Sequence, residues 1–173
     1  MKNLLTVVIT NVLLLFTLTS FSQTQLKIGH VNFEELLQAL PERDSAQIIL
    51  DKESKELQTA YEELTVTYNK LYDEYQEGLS TYSPIAKKMK EDELADKQNR
   101  MAEFEQNATQ TLQKRNNELL QPMINKINKA IEKVGNENSY TYILDISKGS
   151  VAFVSKESQD LTPLVLNIIK PLH

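Results

Sequence analysis

The sequence holds no cysteine and no tryptophan, and only four glycines, five prolines and two histidines in 173 residues. Without cysteine there can be no disulfide framework, thiolate metal site, cysteine nucleophile or cysteine-linked lipid anchor. His30 and His173 are too few for a histidine-built metal site or a catalytic relay. Four glycines cannot furnish a dinucleotide loop, and no nucleophile elbow or zinc spacing occurs. Asp145 stands isolated within Ile143-Leu144-Asp145-Ile146, the setting of a hydrogen-bonding or turn-anchoring residue. His30, preceded by Gly29 in a strand-like run, reads as a residue of a sheet or its edge. The expectation is a protein that is not an enzyme, with no catalytic residue, metal or cofactor.

What is present begins with an address. Lys2 supplies a positive start, Leu4 to Phe16 is largely apolar, and Ser20 and Ser22 are the small residues of a cleavage site before Gln23. The run is too short and too polar at Asn11 for a membrane span, which needs about 20 apolar residues. Residues 1–22 are therefore expected to be a signal peptide and the protein periplasmic. Its removal takes away Lys2 and no acid, leaving 18 basic and 24 acidic residues, a net of −6. Nothing supplies the basic footprint that nucleic acid needs.

The remaining chain divides into three stretches. Residues 23–41 hold a strand pattern, Leu26 to Val31, then a short apolar helix face of Phe33, Leu36, Leu37 and Leu40. Residues 42–137 are rich in Gln, Glu, Lys and Leu and nearly free of Gly and Pro, as a long helix requires. In its first part Leu57, Tyr61, Leu64, Tyr68, Leu71 and Tyr75 alternate at spacings of four and three. That period of about 3.5 marks the seam of a coiled coil. Leu50 and Tyr82 share the register, while Ser54 and Gly78 interrupt it. Asp44 with Gln47 reads as an N-terminal cap. The segment from Gly78 to Pro84 is a turn, after which helical composition resumes until Gly135-Asn136. Leu120, Ile124, Ile127, Ile131 and Val134 repeat the spacing near its end, past a Pro122 expected to kink the helix. Two helical arms joined by a short connector predict an antiparallel hairpin of about 52 and 75 Å, the longer arm entering a base.

Residues 138–173 return to strand chemistry. Tyr140, Tyr142, Leu144 and Ile146 alternate with Thr141, Ile143, Asp145 and Ser147. Ser147-Lys148-Gly149-Ser150 reads as a turn, and Val151 to Val154 as the return strand of a hairpin. A last helix starts at Thr162-Pro163, with Leu164, Val165, Ile168 and Ile169 as its apolar face. The fold class is thus α+β, mainly α: a helical tentacle on a small β-rich base. A base of about 55 residues buries only about 60% of its unfolded surface. Self-association through Ile28, Val31, Tyr142, Leu144, Ile146, Val151 and Phe153 is the expected remedy. On the arm, Val66, Tyr72, Leu79, Tyr82, Ile85 and Met89 lie off the seam or crowd the turn and are the expected partner contacts.

The opening run Lys27-Ile28-Gly29-His30-Val31-Asn32, the long Gln/Glu/Lys-rich arms and the closing block carry a resemblance. That block runs from Tyr140-Thr141-Tyr142-Ile143-Leu144-Asp145 through Val151-Ala152-Phe153-Val154 to Asp160-Leu161-Thr162. The chain resembles the Skp, or OmpH-type, family of periplasmic chaperones across essentially its whole mature length. Leu119-Leu120-Gln121-Pro122 looks like the version in Bacteroidetes-type members. The resemblance implies a homotrimer whose base gathers three tentacles around a cavity. It also implies that unfolded outer-membrane β-barrel proteins are held there without ATP. The family's best-known members have basic tentacles, whereas residues 42–80 here hold four basic and ten acidic residues. Lipid or lipopolysaccharide is accordingly not an expected partner. An envelope spacer or adaptor without unfolded clients is the alternative reading.

Overall fold

The structure, a computed structural model, describes residues 26–170; the expected signal peptide and His173 lie outside them. In chain order the elements are β1 (Ile28–Val31), α1 (Phe33–Gln38), α2 (Pro41–Gly78), α3 (Pro84–Glu137), β2 (Tyr142–Asp145), β3 (Gln159–Asp160) and α4 (Thr162–Ile169). The mainly helical class with a small sheet is what the composition implied.

The helices α2 and α3 form the arm. At about 1.5 Å per residue, their 38 and 54 residues extend about 57 and about 81 Å. Cross-arm pairs fix the direction. Tyr75 meets Glu91, Gln98 meets Tyr68, Tyr61 meets Phe104, Arg115 meets Glu53 and Lys126 meets Glu42. One partner's number rises as the other's falls, so the helices run antiparallel. Leu57, Tyr61, Leu64, Tyr68 and Tyr75 are half-buried along this seam and Leu71 is buried, opposite buried Leu94 and half-buried Met101, Phe104, Ala108 and Leu112. The tip is where the Gly and Pro placed it. Ser83 accepts a hydrogen bond from the Ala86 N–H at 3.2 Å, and Pro84 takes the first turn, where its missing N–H costs nothing. Gly78 lies under the ring of Tyr82, leaving no room for a Cβ.

Several boundaries differ from the sequence reading. Helix α2 starts at Pro41 itself, with Leu40 before it and no side-chain cap; Asp44 is an exposed residue of its first turn. Pro fits that position because its φ is preset for the helix. Pro122, by contrast, sits inside α3 without ending it, in keeping with a kink rather than a break, and Met123 and Ile127 beside it lie in the base core. Gly135 is helical rather than terminal: a Cβ there would sit 3.2 Å from Ile143 Cδ1, so the glycine serves close packing. The stop comes later, at Ser139 with φ of 56°, while Asn138 donates to the Val134 carbonyl through its side chain at 2.8 Å.

The base draws on both ends of the chain. Val31, Leu36, Leu40, Ala46, Leu161, Val165 and Ile169 pack on Met123, Ile127, Ala130 and Val134 of α3. Of the expected row, Ile127 and Val134 are buried, whereas Leu120, Ile124 and Ile131 are half-buried and Met123 and Ala130 take the remaining core places. The sheet has the order β2-β1-β3, and both outer strands run parallel to β1. Ile28 pairs with Tyr142, His30 with Leu144, and His30 also with Asp160. The expected β-hairpin does not form: among the described residues Val151 to Val154 pair with no strand. Asp145 Oδ1 accepts from the Ser147 N–H at 2.9 Å, and Gly149 adopts φ of 67°. Val151, Phe153 and Val154 instead border one depression with Ile28, His30 and Leu144 of the sheet.

Candidate functional site

Among the described residues two surfaces remain without partners: the flanks of the arm and the outer face of the sheet. On the arm, interior faces are closed by polar rungs. Arg115 Nε lies 2.9 Å from Glu53 Oε1, and this hydrogen bond and charge raise the guanidinium pKa. Lys126 Nζ stands 2.6 Å from Glu42, lowering that carboxyl's pKa. The Tyr75 hydroxyl donates to Glu91 at 2.8 Å, and Gln98 donates to Tyr68 at 2.7 Å. Hydrogen bonds to Glu105 and Glu91 raise the phenol pKa of Tyr61 and Tyr75. These rungs tie the seam tyrosines Tyr61, Tyr68 and Tyr75 to the opposite helix.

Of the residues expected to touch a partner, Val66, Tyr72, Ile85 and Met89 are exposed, Ile85 to 75%. Ile85 and Met89 are one helical turn apart and share a face. Leu79 and Tyr82 are half-buried, because the Tyr82 ring folds back on Gly78 and its hydroxyl donates to the Glu74 carbonyl at 3.3 Å. Ile48 is a further exposed apolar residue on α2; the sequence reading missed it because the seam count began after it.

On the base, alternation along β1 and β2 turns Ile28, His30, Tyr142 and Leu144 to one face. Val151, Phe153 and Val154 join Ile28, His30, Leu144 and Ile146 around a shallow, mostly apolar depression of about 320 Å³. Ile28, Tyr142, Leu144 and Phe153 are exposed, Phe153 to 81%, while Ile146 and Val151 are half-buried. Val31 differs from these neighbours: at 1% exposure it faces inward and belongs to the chain's own core. His30 is on the central strand, not an edge. It is buried, with Nδ1 2.9 Å from Ser158 Oγ and Nε2 4.0 Å from Asp160 Oδ1.

The polar residues of the base tie its loops together. Asp145 Oδ1 accepts from the N–H groups of both Phe33 and Ser147, so it anchors the start of α1 and the turn after β2. Burial pushes its pKa up, but these backbone donors, the Ser147 hydroxyl and Lys148 outweigh it and hold the pKa below the ordinary value. Asn32 caps α1 by accepting from Glu35 N–H, and its own N–H donates to buried Thr162 Oγ1 at 2.9 Å. Among the described residues no group of three or more His, Cys, Asp or Glu could hold a metal ion. None of their helices is long and apolar enough to cross a membrane.

The family described as Outer membrane protein (OmpH-like) matches residues 27–169. Among solved structures, that of a candidate outer membrane chaperone (OmpH-like) from Caulobacter crescentus CB15 is similar. Its TM-score is 0.66 at 12% identity, over 82% of each chain, a likeness of fold. No protein with a curated description matches.

Proposed function

The chain belongs to the OmpH-like family of outer membrane proteins, and from that premise we propose that it is an ATP-independent periplasmic holdase for unfolded outer-membrane β-barrel proteins. Three copies associate through the open sheet face, using Ile28, Tyr142, Leu144, Ile146, Val151 and Phe153. Their arms then surround a common cavity. Clients are engaged by many weak apolar contacts, Val66, Tyr72, Ile85 and Met89 foremost, with Leu79 and Tyr82 at the tip. This shields client strand edges from each other. Release needs no fuel, because folding elsewhere removes the apolar surface that the arms hold.

The observation that carries this reading is the exposure of large apolar side chains on a slender arm whose own seam is already satisfied. A spacer without clients would have no use for Ile85 and Met89 in solvent. The structure likened to this chain is described as a chaperone, which points the same way. The test is light scattering from a denatured outer-membrane β-barrel protein diluted out of urea. Equimolar trimer should suppress the rise, without nucleotide; an undiminished rise would remove the holdase reading.

A further inference from the structure

Ser54 interrupts the seam of α2 across from Leu112, and Ala108 stands one turn nearer the tip on α3; the two small residues border a notch in the arm. The notch opens on one flank as a groove of about 390 Å³, floored by Leu57, Ala108 and Leu112 and closed toward the tip by Tyr61 and Phe104. The two rings stand 6.3 Å apart, centroid to centroid. Toward the base the groove continues past Leu50, Asp51, Gln113 and Asn116, a second depression of about 300 Å³. The lining positions recur at three and four on both helices, so a single side of the hairpin presents the whole groove. Tyr72 stands two heptads beyond Gln58 and extends the same flank toward the tip.

The rim chemistry selects an occupant. Asp51 and Glu105 stand at the groove with no cation among its lining residues, and Gln58, Thr109, Gln113 and Asn116 supply amides and a hydroxyl. Helix α2 as a whole carries ten acidic and four basic residues. We propose that this groove is the arm's seat for an extended segment of unfolded polypeptide in which an apolar side chain is flanked by Lys or Arg. The apolar side chain enters the Ser54–Ala108 notch, the amides meet the segment's backbone, and the carboxylates meet its cations. The proposal rests on the holdase reading and names the client segments this chain takes.

The experiment compares two labelled, unstructured peptides sharing one Leu-Phe core, flanked by Lys in one and by Glu in the other. Binding to the full mature chain is read by fluorescence anisotropy. The Lys-flanked peptide should bind about fivefold tighter at low salt, as two exposed ion pairs allow, and the gap should close at high salt. Ser54→Leu repairs the seam and fills the notch, so it should raise Tm while weakening the Lys-flanked peptide. Asp51→Lys, an exposed change, should reverse the preference with helicity intact. Unchanged affinities in both variants, while a denatured β-barrel protein is still kept soluble, would overturn the groove and leave the holdase reading standing. A changed sedimentation mass for Ser54→Leu with peptide affinity unaltered would make the groove a contact between copies and equally overturn it. Failure of the wild type to bind either peptide or any denatured client would remove both.

Discussion

At the residue scale the base depends on a few positions that no conservative change can serve. Gly29 lies in the central strand where a Cβ would come within 2.7 Å of Leu161 Cδ1 and 3.0 Å of the Tyr140 ring. That ring is itself held by Lys27, whose Nζ is 4.1 Å from its centroid, and by a hydrogen bond to Gln159. Gly29→Ala should therefore cost about 1 to 3 kcal/mol through overpacking, read as a lowered urea midpoint. Asp145 is the second such position. Asp145→Ala would leave the N–H groups of Phe33 and Ser147 without their acceptor, at about 1 to 3 kcal/mol. Its titration gives a sign as well. The carboxyl binds its proton less readily folded than unfolded, since its pKa lies below the ordinary 3.8. The stability it adds is present above that value and is lost as pH falls through the lower, folded one. Between pH 5 and pH 3 the wild type should lose more stability than Asp145→Ala does; parallel acid profiles would exclude this role.

At the scale of elements, arm and base differ in what holds them. The arm is a two-helix layer whose buried residues are few, Leu71 and Leu94 chief among them. Leu71→Ala should cost about 2 to 3 kcal/mol and speed hydrogen exchange along residues 57–108. Amides of β1 and β2 should keep their protection, because none of their partners lies in the arm. The same contrast explains what the sequence could reveal. The arm was legible because a 3.5 period from Leu57 to Tyr75 is a local property of one surface, and because Gly78 and Pro84 bracket the turn. Exposure of Val66 and Tyr72 followed from their places off that stripe, whereas Ile85 and Met89 were marked only by crowding the turn. The base was legible only in part. β1 and β2 show alternation, but β3 is two exposed polar residues, Gln159-Asp160, fixed by distant partners such as the Leu161 N–H on the His30 carbonyl at 2.8 Å. Val151 to Val154 are apolar throughout, like a buried strand, yet among the described residues they pair with none and only border the depression beside β1 and β2. The flank groove appeared in the sequence as a missing apolar residue at Ser54, and the small Ala108, one turn nearer the tip on the other helix, borders the same space.

At the scale of the whole molecule, one feature of the base calls for a partner. An all-parallel sheet normally has both faces covered. Here α3 and α4 lie against β1 and its neighbours on the inner side, whereas Ile28, Tyr142, Leu144 and Phe153 are exposed on the outer one, Tyr142 to 57%. Another copy of the chain would offer the same apolar face, which is how the proposed trimer would set three arms side by side. Leu144→Glu tests this without disturbing the single chain, because the side chain already reaches solvent and touches none of the buried core. Burying that carboxylate between copies would be costly, so the sedimentation mass should fall from three chains to one while the helical circular dichroism is kept. Protection of a denatured β-barrel protein should fall with it, since one arm cannot surround a client. Val66→Glu separates the two effects: it lies far along the arm, so it should weaken client protection and leave the mass alone. A Leu144→Glu protein that keeps the wild-type mass would mean that something other than this face joins the chains, and the enclosure of clients would need a different base.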